Sequence, residues 1–234
     1  MNTFFTYIRR INSLLLFGGL VVFTLLVLWG IGSSIEARNR DVVATARTPG
    51  TSEELSFRLD EVNGIPGTDT QMLKLTASKT QSGIGYSGYE RDTRNVLFLS
   101  GDDKAARWLF PNQARVIHTA AQLQAQDEGD KTAGANKVTV ALYYLYSDKD
   151  TNGDGEIDNE DKASLGLSRA NGEGFTTVLV GIDRVYSVSL TGGQAISVLY
   201  RVGQSLRHAR YSVATLARVF DREVTSIPGI EDQR

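Results

Sequence analysis

The chain has 234 residues, of which 41% are hydrophobic, with a formal net charge of −2 and no cysteine. The lack of cysteine excludes disulfides, thiolate metal sites and cysteine catalysis. The slight acidity argues against nucleic acid as a partner.

The first 32 residues predict a membrane anchor. A short leader, residues 1–10, precedes a segment at 11–32 that carries no charged side chain. Roughly 20 apolar residues cross the hydrocarbon core of a bilayer, and this segment is about that long. The alternative, a cleaved signal peptide, has a shorter apolar region of about 7–15 residues. We therefore interpret the segment as an uncleaved signal anchor, with the lipid bilayer as one partner.

The charges that flank this segment predict its orientation. Arg9 and Arg10 precede it, and basic residues favour the cytoplasmic side of a membrane. An exported chain without cysteine suits a bacterial periplasm. We expect a single-pass protein of the bacterial inner membrane, with a cytoplasmic N-terminus, a tether at 33–52 and a periplasmic C-terminal domain. Two of the 25 basic residues stay inside, which leaves 23 basic and 27 acidic residues in the exported part. Its net charge is therefore about −4, which disfavours anionic lipid as its partner.

Residues 53–234 predict one domain built mainly from β-strands. Apolar and polar residues alternate in successive runs, and turn residues such as Thr191-Gly-Gly-Gln separate the last of them. We expect an antiparallel meander, a sandwich or a partial propeller-like sheet. The segment 113–124 fits either a helix or a strand followed by a turn. The predicted strands lie at 55–62, 71–77, 95–100, 105–110, 138–147, 163–168, 176–180, 185–190, 195–202 and 205–213.

The apolar positions of these strands predict the core of the domain. Alternate side chains of a strand point to one face, so every second apolar residue is expected inside. The expected core residues are Leu97, Leu99, Trp108, Phe110, Leu142, Tyr144, Leu179, Val188, Leu190, Ile196, Val198 and Tyr211.

Two hairpin-like segments are similar to each other. LFLSGDDKAARWLF and LYRVGQSLRHARYSV both predict a strand, a turn at glycine and a second strand that contains arginine. They resemble hairpins in the blades of TolB-type or PQQ-like β-propellers. That resemblance implies a propeller-like or open stacked sheet, although the chain is short for a closed ring of four-stranded blades.

Residues 150–161 have the spacing of a calcium-binding loop. Calcium takes about six to eight oxygen ligands, which alternate side chains of a tightly wound loop can supply. Gly155 stands where such a loop turns sharply, and Glu156 stands where the backbone carbonyl is the ligand. The alternative is a solvated acidic turn, because Asn, Asp and Gly favour turns. The predicted ligands are Asp150 at position 1, Asn152 at 3, Asp154 at 5, Glu156 at 7, Asp158 at 9 and Asp161 at 12.

The pattern D-x-N-x-D-G-x-I-x-x-x-D resembles the loops of dockerin modules and EF-hand-like bacterial proteins, and also the calcium loops of integrin-type blades. The resemblance covers these residues alone and implies calcium as the cofactor. Asp161 departs from it, because the usual residue there is a bidentate Glu; the shorter Asp binds with one oxygen or through water. We expect the loop to join the strands at 138–147 and 163–168 through a helical turn at 159–162, as a staple within the fold.

The sequence offers little for catalysis. Its two histidines, His118 and His208, fall outside any H-E-x-x-H motif, and neither G-x-S-x-G nor a phosphate-binding loop occurs. We expect a non-catalytic accessory or structural subunit that docks on another membrane or periplasmic protein. The alternatives are a calcium-stabilised periplasmic hydrolase or carbohydrate-active enzyme, and a calcium-dependent adhesion module.

Overall fold

The computed structural model describes residues 44–47, 54–79, 91–126 and 137–228. The predicted leader at 1–10 and the predicted anchor at 11–32 lie outside these residues. Within them, no helix is long and apolar enough to cross a membrane. Part of the predicted tether is described, and it forms a short strand that pairs with the next one.

The described residues form antiparallel β-strands and no helix, which confirms the prediction of a mainly β domain. In the segment 113–124, for which the sequence left two possibilities open, residues 116–124 are strand and no helix forms. The strands are β1 (Ala44–Arg47), β2 (Glu54–Leu59), β3 (Asn63–Gly64), β4 (Gln71–Lys79), β5 (Arg91–Ser100), β6 (Ala105–Trp108), β7 (Val116–Gln126), β8 (Lys137–Ser147), β9 (Ala163–Arg169), β10 (Thr176–Ile182), β11 (Arg184–Thr191), β12 (Ala195–Val202), β13 (Ser205–Ser212) and β14 (Arg218–Ser226).

These strands form three consecutive meanders. The first contains β1, β2, β4 and β5, with β3 and β6 paired at its margins; the second contains β7 to β10; the third contains β11 to β14. The first two belong to one hydrogen-bonded sheet, but β5 and β7 are joined by the single pair Thr93 and Ile117. Nearest neighbours along the chain are thus nearest neighbours in space, which keeps the connections short.

One core lies between the first and second meanders. Val96 and Phe98 of β5 pack with Leu142, Tyr144 and Tyr146 of β8. Because side chains alternate along a strand, these three residues occupy one face of β8 and leave the other face for a second core.

The second core lies between the second and third meanders. Leu165 and Leu167 of β9 pack with Ile196 and Val198 of β12 and with Tyr211 of β13. The second meander is therefore covered on both faces, and this explains why β9 is buried along nearly its whole length.

The predicted core is right for seven residues: Phe110, Leu142, Tyr144, Leu179, Ile196, Val198 and Tyr211 are buried. Val188 and Leu190 pack against the second core and are half-buried. The prediction is wrong for Trp108, which is 41% exposed, and for Leu97 and Leu99, which are half-buried. β5 reads Val-Leu-Phe-Leu, so either face could have been the buried one, and the structure buries Val96 and Phe98 instead.

Gly166 of β9 opens the space in which an aromatic cluster forms. A Cβ on Gly166 would lie 2.4 Å from a ring carbon of Phe175. The Phe175 ring meets Phe110 edge-on at 5.2 Å and Tyr144 at 5.7 Å between centroids. The glycine thus permits this ring to close the first core beside the strand that leaves the candidate calcium loop.

Candidate calcium loop

The candidate loop, residues 148–162, connects two paired strands. β8 ends at Ser147 and β9 begins at Ala163, with Tyr146 opposite Ser164 in the register. This confirms the strands predicted on either side. The turn at Asn159 and Glu160 stands where a helical turn was expected.

Side-chain oxygens wind the loop by capping its own backbone. Asp150 accepts hydrogen bonds from the N–H groups of Gly153, at 2.6 Å, and Gly155, at 2.9 Å. Asn152 Oδ1 caps Asp154 N at 3.0 Å, and Asp154 Oδ1 caps Glu156 N at 2.8 Å. The bonds of Asn152 and Asp154 are Asx turns, which Asp and Asn form readily, whereas those of Asp150 reach three and five residues along the chain. They place oxygen-bearing side chains at every second position of a tight loop.

Two glycines give the loop its curvature. Gly155 has a φ of 91°, which confirms the sharp turn expected at that position. Gly153 has a φ of 79°, and the sequence pattern gave no reason to expect this second left-handed residue. Both conformations are strained for a residue with a Cβ, so the winding depends on glycine at both positions.

Asp161 is the centre of the loop's hydrogen bonds. Its Oδ1 accepts from the N–H and, at 2.9 Å, the hydroxyl of Thr151, and from Asn152 N at 3.3 Å. Its Oδ2 accepts from Asp158 N at 3.0 Å. The side chain is 6% exposed; burial acts to raise the pKa of Asp161, but these hydrogen bonds outweigh it and hold the pKa below the usual value.

The loop is fixed to the strands beneath it through Ser147. This side chain is fully buried; its hydroxyl donates to the carbonyl of Lys162 at 3.4 Å and lies 2.8 Å from Nε2 of His118. Burial lowers the pKa of His118, although the carboxylates of Asp92, Asp158 and Asp161 act in the opposite direction. His118 is thus a packed side chain of β7 at the base of the loop.

A second attachment joins the end of the loop to the third meander. Lys162 Nζ lies 3.3 Å from Oδ1 of Asp183, whose side chain is 6% exposed. Asp183 Oδ2 accepts from the N–H of Gly203, in the turn between β12 and β13. One buried carboxylate therefore links the loop, the β10–β11 connection and a hairpin of the third meander.

The residues of the loop fit calcium in kind. All the predicted donors are oxygens, and a hard cation such as calcium prefers oxygen. Among the residues that the structure describes, however, no three acidic or histidine side chains are gathered in a metal-binding arrangement. Asp150, Asn152 and Asp154 use their side-chain oxygens on backbone N–H groups, and Asp161 uses both of its own. Calcium at Asp150, Asn152, Asp154, Glu156, Asp158 and Asp161 thus stays a prediction from spacing and donor chemistry.

Sequence reasoning missed two residues on which the loop depends. Thr151 donates to Asp161 and accepts from Lys162 N at 2.8 Å, so it ties the two ends of the loop together. Asp183 gave no signal, because a single acidic residue between two strands is ordinary turn composition. Its partners lie about 20 residues away on either side in sequence.

Two serine–histidine pairs occur among the described residues. In the pair of Ser147 and His118, Ser147 is fully buried, so no substrate reaches the hydroxyl. The second pair, Ser197 Oγ and His208 Nε2, is 2.8 Å apart on the third meander. The ring of His208 contacts Phe220 edge-on at 5.1 Å, whereas a catalytic histidine is oriented by a carboxylate.

No protein-family model and no curated protein matches the chain. Among solved structures, one described as a luciferin-regenerating enzyme is similar at 10% sequence identity with a TM-score of 0.33. The match covers 78% of this chain and 60% of that one. A likeness at this score carries no argument about activity.

Proposed function

We propose that this protein is a non-catalytic, membrane-anchored subunit of the bacterial cell envelope, whose periplasmic β domain is stapled by calcium and docks on another envelope protein. The observation that carries the proposal is the loop of residues 148–162. Its oxygen-bearing side chains recur at calcium-loop spacing, and its ends are tied to two meanders through Ser147 and Asp183.

The proposed task of calcium is structural. Carboxylates drawn into one short loop repel each other, and a divalent cation converts that repulsion into attraction. Because the loop joins adjacent strands instead of two long helices, binding would stiffen the domain without opening a groove. The affinity expected of such an extracellular module is on the order of 10⁻⁴–10⁻³ M.

Thermal unfolding of the full chain in detergent tests the calcium part of the proposal. Calcium in the millimolar range should raise the melting temperature by mass action, and magnesium should raise it less. Asp154→Ala should abolish the response, whereas Glu156→Ala should preserve it because position 7 binds through its carbonyl. An unchanged melting temperature with calcium, or an equal loss in both variants, would refute the site.

Cross-linking in native membranes tests the docking part. Full-length protein should remain in the membrane fraction after alkaline extraction, and one partner should be recovered at fixed stoichiometry with calcium present. A soluble mature form that begins after residue 32 would refute the anchor. Recovery of the chain alone would refute the docking role.

The third meander gives one reason to keep a hydrolase as the second candidate. Ser197 Oγ and His208 Nε2, which are 2.8 Å apart, are close enough for proton transfer. Ser197→Ala decides between the two. A general esterase substrate hydrolysed by the wild type and not by this variant would favour the enzyme.

A further inference from the structure

The third meander has a face that neither core uses. Ile196 and Val198 of β12 and Tyr211 of β13 point into the second core, so the alternate residues of these strands point to the opposite side. We call that side the basic face and define it by Arg184, Ser197, His208, Arg210, Phe220 and Arg222.

The register brings five of these residues together across three strands, β12 to β14. Ser197 lies opposite Arg210, which lies opposite Phe220. Two residues away on β13, and on the same face, His208 lies opposite Arg222. Directly opposed residues on antiparallel strands have Cβ atoms about 5 Å apart, so the side chains of β12, β13 and β14 form one patch. Arg184 of β11 lies opposite Arg201 of β12, farther along the same face of the sheet.

Aromatic contacts hold the cationic side chains of this patch. The guanidinium of Arg222 lies over the Phe220 ring at 5.3 Å, and that ring meets His208. The guanidinium of Arg184 lies over Tyr186 at 5.6 Å. Stacking of this kind orients a guanidinium while leaving its N–H groups available to a partner.

The charge of the basic face is not neutralised within the described part of the chain. Arg184, Arg210 and Arg222 form no ion pair there, and the positions that define the face include no carboxylate. The acidic residues of β14 lie on the opposite side of the sheet, where Asp221 forms an ion pair with Arg207 at 3.1 Å. Three arginines are thus concentrated on one sheet face of a chain whose net charge is −2.

We propose that the basic face docks a protein partner whose contact surface is rich in carboxylates. Guanidinium groups bind carboxylates with two parallel hydrogen bonds, and complementary patches speed and orient association. Salt screens exposed charges beyond a Debye length of about 10 Å, so a protein partner that contacts this face interacts mainly with its arginines. An extended anionic bilayer would also be repelled by the acidic remainder of the chain. The inference rests on the proposed docking function and names the surface and chemistry of that docking.

Binding of fluorescent poly-L-glutamate by the full-length chain in neutral detergent tests the proposal. We expect saturable binding that weakens as salt rises, because exposed charges are screened. The triple variant Arg184→Glu, Arg210→Glu, Arg222→Glu should bind at least about tenfold more weakly. The control reverses Lys104, Lys137 and Arg169, exposed cations on the other two meanders, and changes the net charge by the same amount. It should bind nearly as the wild type does.

Each other outcome overturns the proposal. Equal losses in both triple variants would make the binding a general charge effect. Phosphatidylglycerol in the micelles and unlabelled polyglutamate are compared as competitors of the fluorescent peptide. If the lipid displaces the peptide at fewer charge equivalents than polyglutamate does, the face binds a lipid headgroup. If the glutamate variant unfolds, the corresponding glutamine variant, which keeps the side-chain length but not the charge, takes its place with the same criterion.

Membrane cross-linking separates this inference from the proposed function. If the wild type recovers a stoichiometric partner and the charge-reversed variant recovers it equally well, the docking role stands and the basic face is the wrong surface. If the wild type recovers no partner, the docking role fails, and polyglutamate binding still decides whether the face prefers carboxylates.

Discussion

At the scale of single residues, Asp161 has a structural role besides the ligand position that the motif predicts. The spacing predicts a shortened twelfth-position ligand, and in the structure its two oxygens accept hydrogen bonds from four donors of the loop itself. A carboxylate that accepts several N–H groups stabilises a loop whether or not a metal is present. The residue is therefore first a structural centre of the loop.

Asp161→Asn should lower the free energy of unfolding by about 1–3 kcal/mol even in the presence of a chelator, because the amide replaces an acceptor by a donor among N–H groups. Asp158→Asn is the matched control, since that side chain caps the single N–H of Glu160 in an exposed turn. Urea unfolding without calcium measures both. Equal stability of the Asp161 variant and the wild type in chelator would contradict the structural role.

His118 predicts a dependence of stability on pH. Its pKa is lowered from 6.5 by burial, so the folded chain takes up its proton at a lower pH than the unfolded chain does. The contribution of His118 to the free energy of unfolding should be constant above about pH 6.5, fall as the pH drops below that value and level off below the folded pKa. Urea unfolding at about pH 7.5 and 5.5 should show the decrease in the wild type and a smaller one in His118→Gln. The same decrease in both proteins would contradict the prediction.

At the scale of elements, close approach between strands decides the packing around the loop. Gly166→Ala would place a Cβ against the Phe175 ring, so that ring must leave its contacts with Phe110 and Tyr144. We expect a loss of about 1–3 kcal/mol in the free energy of unfolding. Gly64→Ala is the control, because nothing lies within 4 Å of its added Cβ. A Gly166 variant as stable as the Gly64 variant would show that the ring repacks freely.

At the scale of the whole described domain, Asp183 joins parts that are distant in sequence. Asp183→Ala removes the acceptor for Gly203 N and the partner of Lys162, and should cost about 1.5–3 kcal/mol as a buried charged hydrogen bond. Lys162→Met should cost less than about 1 kcal/mol, because that side chain is 48% exposed and its ion pair is screened. Unfolding of both variants in urea checks the order of the two effects, and the reverse order would contradict it.

The sequence by itself determined the β class, the strands on both sides of the loop and the spacing of the oxygen donors. These are local properties: alternation along a strand, turn residues and ligand offsets are set within about ten residues. Only the tertiary structure decided that Val96 and Phe98 of β5 face the core while Leu97, Leu99 and Trp108 do not. A run of four consecutive apolar residues, such as 96–99 of β5, fits either register of burial, and the face that is covered depends on which meander packs against it. The contacts of Asp183 and the basic face also depend on the tertiary structure, because strand pairing and chain reversal bring together residues that are distant in sequence.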